Sequence, residues 1–153
     1  MSRFARTQEI DVTAPASEVY AYLLDFTRHP EWADQPMTMT HVGGPATGVG
    51  ARYESHVEIK FPVGHSKDDA KIEVTEAVEP KRLVYEVHDN SGHYRWTVEL
   101  TDGNGTTHVK QSVEGLERPW LIRTIQPMLW GAIGSKMVGN GLTNLKARLE
   151  QSA

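Results

Sequence analysis

The chain has no cysteine. That removes disulfide frameworks, thiolate metal sites and a cysteine nucleophile from consideration. It has no basic stripe either: 16 Lys and Arg are scattered among 20 Asp and Glu, for a net charge of −4, and no nucleic-acid partner is expected from that distribution. No apolar run approaches the roughly 18 residues of a membrane-crossing helix. The first residues, Met1-Ser2-Arg3-Phe4, lack the apolar stretch of a signal peptide, so the expectation is a cytoplasmic protein with no integral membrane segment. Repeats, low-complexity tracts and linker-like Pro/Gly/Ser stretches are also missing, and residues 1–153 read as one domain. With 39 % hydrophobic and 24 % charged residues, the composition is that of an ordinary globular protein.

Several chemical signatures are absent as well. Seven histidines are present, yet none pairs at His-x-x-x-His or His-Glu-x-x-His spacing, so no metal is expected and surface positions are the reading for most of them. His56, His88 and His108 fall on outward strand phases, while His29, His41, His65 and His93 lie near turns or strand ends. The nearest carboxylate pairs are Glu31/Asp34 and Asp68-Asp69; neighbours on a strand point to opposite faces, which makes the second a poor acid–base dyad. No nucleophile elbow, P-loop or dinucleotide fingerprint appears, and no cofactor is expected.

What the chain does have is periodicity. Phe4 to Val12 reads as a strand that ends before Pro15, a residue suited to a first helical turn because its missing N–H would be unpaired there anyway. Val19, Tyr20, Leu23 and Leu24 then recur at helical spacing, and Pro30 is expected to stop the turn that follows. From Met39 to Glu114 the period changes to two. Tyr53, Ser55, Val57, Ile59 and Phe61 alternate with polar residues, followed by a turn at Pro62-Val63-Gly64 and by Ala70, Ile72 and Val74. Leu83, Tyr85 and Val87 come next, then Tyr94, Trp96, Val98 and Leu100, then Val109, Gln111 and Val113. Asp89-Asn90-Ser91-Gly92 and Asp102-Gly103-Asn104-Gly105 are hairpin signals. Short hairpins between consecutive strands give an antiparallel meander with one covered face. Arg118 to Glu150 is helical, with Leu121, Ile125, Met128, Val138, Leu142, Leu145 and Leu149 near one stripe. Pro127 and Gly131, Gly134, Gly139 and Gly141 interrupt its first half, so a kink or break near Pro127 is expected.

With these elements in place, the chain resembles the START-like superfamily, the polyketide cyclase/dehydrase and lipid-transport or SRPBCC group. The resemblance is carried by Ala14-Pro15-Ala16-Ser17-Glu18-Val19-Tyr20, Asp25-Phe26, Pro30-Glu31-Trp32, Val49-Gly50-Ala51-Arg52-Tyr53, Val78-Glu79-Pro80-Lys81-Arg82-Leu83-Val84-Tyr85 and Asn144-Leu145-Lys146-Ala147-Arg148-Leu149-Glu150. It implies an α+β helix-grip fold of the Bet v 1-like/START-like kind: a curved antiparallel sheet around a long C-terminal helix, with two short helices at one end. The space between sheet and helix is commonly a pocket for a hydrophobic or aromatic molecule. The motifs fix the fold and leave the reaction open.

The phase of the apolar strand residues places Tyr53, Ser55, Tyr85, Tyr94, Trp96 and Gln111 on the concave face, with Trp32 and Met128 as candidates for the wall or mouth. Each could equally be core, with its polar atom satisfied by the backbone. A shortage of inward ionisable groups favours a binding protein for a lipid- or polyketide-like ligand. The alternative is a polyketide cyclase or dehydratase in which Tyr53, Tyr85 or Tyr94 donates a proton. A third reading is a co-chaperone-like interaction protein. Trp120 and Trp130, with Leu121, Ile122, Leu129 and Ile133, read as core packing plus a lid, or else as a patch for a homodimer, a membrane or another partner.

Overall fold

Among the described residues, alternation of period two becomes seven strands, and the two helical stretches become three α-helices and a 3-10 turn. The computed structural model describes residues 4–60, 65–131 and 135–151; the Phe61 strand position, the turn at Pro62-Val63-Gly64, and Ile133 and Gly134 lie outside them. The order is β1 (Ala5–Val12), α1 (Ala16–Leu24), a 3-10 turn (Phe26–Glu31), β2 (Met37–Gly43), β3 (Arg52–Lys60), β4 (His65–Val78), β5 (Arg82–Asp89), β6 (Gly92–Gly103), β7 (Thr106–Glu117), α2 (Trp120–Leu129) and α3 (Ser135–Gln151). The sheet is antiparallel throughout, in the order β1-β7-β6-β5-β4-β3-β2. Strands β2 to β7 form the expected meander. Strand β1 joins from the far edge by pairing with β7, Ile10 opposite Val109.

The hairpins follow their turn residues. Between β6 and β7 only Asn104 and Gly105 are unpaired, and both have positive φ, 50° and 85°, as a two-residue turn matched to strand twist requires. Between β5 and β6, the Asp89 carboxylate closes the turn on itself. Its Oδ1 accepts from Ser91 N (2.8 Å), Ser91 Oγ (2.7 Å) and Gly92 N (3.1 Å).

The sheet grips α3. Leu142, Leu145 and Leu149 are buried in one core with Val12, Leu83, Val98 and Val109 from the sheet and Val19, Leu23 and Phe26 from the first helical segments. A second, smaller cluster of Phe4, Tyr94 and Val113 packs with Trp96 and Trp130. Two expectations change in detail. Pro30 lies inside the 3-10 turn, which runs one residue past it. The helix is not broken at Pro127, since α2 continues through that residue to Leu129. No residue of α2 is buried, and Trp120, Leu121, Met128 and Leu129 are exposed. The apolar stripe is therefore continuous with the core only in α3. Among the described residues, no helix is long and apolar enough to cross a membrane.

Candidate functional site

A cleft of about 270 Å³ opens between the concave sheet face, the segment from the 3-10 turn into β2, and the start of α3. Its sheet wall is the inward phase of five strands: Ser55 and Val57 on β3, Asp68, Ala70 and Ile72 on β4, Tyr85, Val87 and Asp89 on β5, Trp96 on β6, and Gln111 on β7. Phe26, His29 and Trp32 close one side, Met37 and Met39 another, and Met137, Val138 and Gly141 of α3 cover it. Two roomier hollows, about 530 and 610 Å³, run among outward-phase groups such as Arg52, Glu54, Lys71 and His88. These are solvated grooves between charged side chains and lack the apolar walls of a small-molecule site.

Aromatic rings organise the cleft. Phe26 stacks on His29 (centroids 4.1 Å) and on Tyr53 (4.9 Å), and meets Tyr85 edge-on (4.9 Å). His29 tilts against Trp32 at 5.0 Å. Tyr85 and Trp96, cross-strand partners in the β5–β6 register, lie parallel at 6.4 Å. The Trp32 ring lies on α3 beside Gly141, where a Cβ would meet the indole at 3.6 Å, an ordinary contact.

Five of the eight residues expected at the pocket line the cleft: Trp32, Ser55, Tyr85, Trp96 and Gln111. The other three are placed elsewhere. Tyr53 shares the phase of Ser55 but lies beneath Phe26, with its hydroxyl donating to Ala46 O at 2.5 Å. Tyr94 belongs to the second cluster, where its oxygen meets Ser91 Oγ (2.7 Å) and accepts from Gln126 Nε2 (2.7 Å). Met128 is exposed because α2 buries no face.

The pattern of strands and turns also hid three groups. His29, expected at the surface, is buried. Its Nε2 lies 3.0 Å from Leu23 O; a carbonyl only accepts, so Nε2 carries the proton and Nδ1 the lone pair. Burial pulls its pKa down to about 4 despite that bond, which keeps the ring neutral at physiological pH. The i, i+3 spacing from Phe26 was the available signal. Asp68 and Asp89 were hidden by their turn-like neighbours, yet each extends an inward phase by one step, Asp68-Ala70-Ile72 and Tyr85-Val87-Asp89. Burial first, and the nearby Asp89 second, push the Asp68 carboxyl up to about 6. Asp69 points outward to the His56 imidazole, as strand geometry requires. Glu31 is held by Tyr22 Oη (2.9 Å) and by Arg28, so Glu31/Asp34 is no dyad. His41 is exposed and bonded to Pro45 O at 2.8 Å.

Two buried polar atoms at the cleft have no hydrogen-bond partner among the described residues: Trp32 Nε1, a donor, and Gln111 Oε1, an acceptor. Each such atom costs the fold about 1–3 kcal/mol, and an occupant that satisfies both recovers that cost. Burial also raises the Tyr85 phenol well above its ordinary value, offset only in part by the Gln111 amide beside it. Tyr85 therefore acts as a neutral hydrogen-bonding group. The site holds a neutral imidazole, a carboxyl that can be protonated, and aromatic walls. Among the described residues no group of three or more His, Cys, Asp or Glu is placed to hold a metal ion.

Solved structures share this architecture. A conserved protein from Geobacillus kaustophilus superposes with a TM-score of 0.76 at 16 % identity, covering 97 % of each chain. A START superfamily protein from Mycobacterium smegmatis gives 0.72 at 13 % identity, over 97 % of this chain and 99 % of that one. DynU16, described as a putative protein in the dynemicin biosynthetic locus, gives 0.61 at 18 % identity, over 97 % of this chain and 48 % of its own. At these identities the likeness is one of fold. No curated protein matches the chain in sequence. Residues 3–150 match the polyketide cyclase/dehydrase and lipid-transport family, and the chain belongs to that family.

Proposed function

We propose that the protein binds a compact hydrophobic or aromatic small molecule in the cleft between the sheet and α3. The observation that carries this reading is the pairing of aromatic walls with two unpartnered buried polar atoms, Trp32 Nε1 and Gln111 Oε1. An apolar wall with a few convergent polar groups is the usual constitution of a ligand site. The volume, about 270 Å³, is near the lower end of the roughly 300–1,000 Å³ range of such sites. It favours one small ring system over a long flexible chain.

A second reading, catalysis of the cyclase or dehydratase kind, is supported by the ionisable groups that the alternation pattern had not revealed. His29 offers a lone pair as general base, and Asp68 a proton as general acid at mildly acidic to neutral pH. They displace Tyr53 and Tyr94 as acid–base candidates, since those two lie outside the cleft lining, whereas Tyr85 stays beside them in it. The position of DynU16 in a biosynthetic locus is consistent with either reading. The interaction-protein and homodimer readings rest only on the exposed apolar residues of α2.

Trp32 and Trp96 both line the cleft, so intrinsic fluorescence reports on occupancy. Titration with small aromatic compounds should quench it saturably, and Gly141→Phe, which fills the space beside Trp32, should weaken binding at least about tenfold while far-UV circular dichroism is retained. No response to a broad panel, or unchanged binding in Gly141→Phe, overturns the proposal.

A further inference from the structure

The cleft is lined by three carboxylates and, among the described residues, by no Lys or Arg side chain. Asp68 comes from β4, Asp89 from the end of β5 and Asp34 from the segment before β2. Their structural tasks differ. Asp89 uses one oxygen to close the β5–β6 turn, and Asp34 accepts from its neighbour Gln35 at 3.1 Å. Asp68 has a 3.4 Å contact from Asn90 N and meets the side chain of a second acid, Asp89, within hydrogen-bonding range. Placing an acid there opposes folding through desolvation and like-charge repulsion, with no cation in the wall to offset it. The nearby bases are engaged elsewhere or face outward: His93 pairs with Glu86 at 2.6 Å, His88 stacks on His93, and His56 takes Asp69.

The same space presents ring faces and an acceptor. Phe26, Trp32, Tyr85 and Trp96 line it, and aromatic faces attract cations. Gln111 is only 7 % exposed, and its Oε1 has no hydrogen-bond partner among the described residues, so it is an acceptor for an N–H group. An acidic mouth, an aromatic box and an unpaired acceptor are complementary to one chemical class.

We propose that the molecule held in this cleft is an organic cation: an aromatic or hydrophobic compound bearing a protonated amine, with the amine at Asp68 and Asp89 and the ring system between Trp32, Tyr85 and Trp96. This inference deepens the ligand-binding reading and rests on it. Desolvation of the acidic pair is offset when the ammonium arrives, so the group that costs the empty protein stability supplies the selectivity for its ligand. A neutral isostere keeps the ring contacts and loses the charge term, and a carboxylate of the same shape is repelled.

Three probes of one shape decide the matter: naphthylmethylamine, naphthylmethanol and naphthoate, titrated near neutral pH by tryptophan quenching and calorimetry. The amine should bind at least about tenfold tighter than the alcohol, and naphthoate weaker than both. Asp68→Asn should bring the amine most of the way to the affinity of the alcohol, Asp89 keeping the rest, and leave the alcohol unchanged, which also shows that the variant is folded. Should that variant not fold, salt dependence in the wild-type protein replaces it: added NaCl should weaken the amine and not the alcohol. Equal affinity of amine and alcohol, or a preference for naphthoate, overturns the cation proposal while the cleft remains a binding site. Failure of all three probes to bind overturns both.

Discussion

Two groups of aromatic side chains stand on the same concave sheet face, and they end differently. At one end Phe4, Tyr94 and Val113 pack with Trp130, whose ring meets Phe4 edge-on at 5.6 Å. The Tyr94 oxygen is bonded to both Ser91 and Gln126. At the other end Phe26, His29, Trp32 and Tyr85 are packed as closely ring to ring, yet a cleft of about 270 Å³ remains and two polar atoms are left unpaired. Alternation, burial and aromatic content do not separate the two ends. Polar satisfaction does: a closed core pairs its donors and acceptors, and a site leaves some for a guest.

The largest test removes the hinge of the open end. Phe26 is fully buried between His29, Tyr53 and Tyr85, so Phe26→Ala should cost about 3–5 kcal/mol in denaturant unfolding. A much smaller loss would mean that the rings around the cleft collapse into the gap and are less fixed than those at the plugged end.

Next in size is a pH dependence in which two cleft residues oppose one another. The folded-state pKa of His29 is depressed, from 6.5 to about 4. Its contribution is therefore present above about pH 6.5 and is lost as pH falls through 4, a range worth about 3 kcal/mol. That of Asp68 is raised from 3.8 to about 6, so its contribution is present below pH 3.8 and is lost as pH rises through 6. It is the smaller of the two, because Asp68 is partly solvated. The groups that bear on Asp68 are Asp89 and Asp69. Unfolding free energies measured from pH 4 to 7 should fall more steeply with acidification in Asp68→Asn than in the wild type. In His29→Phe they should rise on acidification. The same slope in all three proteins would mean that neither group is buried as described.

A third comparison sets tyrosine against tyrosine. Tyr94→Phe, at the plugged end, leaves the Gln126 amide and Ser91 without their partner and should cost about 1–2 kcal/mol. Tyr85→Phe, at the open end, should cost less than half of that, because its oxygen has only the Gln111 amide beside it. Equal costs would erase the distinction between the two ends.

Much of this was legible in the sequence, for reasons that also explain what was not. Strand phase is strict, so Ser55, Tyr85, Trp96 and Gln111 could be placed on the concave face from alternation alone, and Asn104-Gly105 could be read as a turn from its backbone requirement. Which stretch of that face stays open is set by how Phe26 and α3 come across it, and no local pattern encodes that. For this reason Tyr53 and Tyr94 were indistinguishable from Tyr85 in sequence. Met128 misled because a helical stripe tells which face is apolar, not whether another element covers it. Asp68 and Asp89 were hidden in plain alternation. The phase rule, carried one step past Ala70 and Val87, puts them inward, but their charge and the adjacent turn suggest solvent.

The smallest test concerns how tightly the open end is held. Gly141 sits inside α3 with the Trp32 ring against it. A helix interior gains about 0.5–1 kcal/mol when glycine becomes alanine, and the new methyl would meet the indole at 3.6 Å, an ordinary contact. Gly141→Ala should therefore raise stability by up to about 1 kcal/mol, read by thermal or denaturant unfolding, and trim ligand affinity slightly. A net loss of stability would mean that the indole stands closer to Gly141 than 3.6 Å and cannot give way. The cleft would then be as rigidly packed as the closed cluster around Tyr94, and the two ends would differ in polar pairing alone.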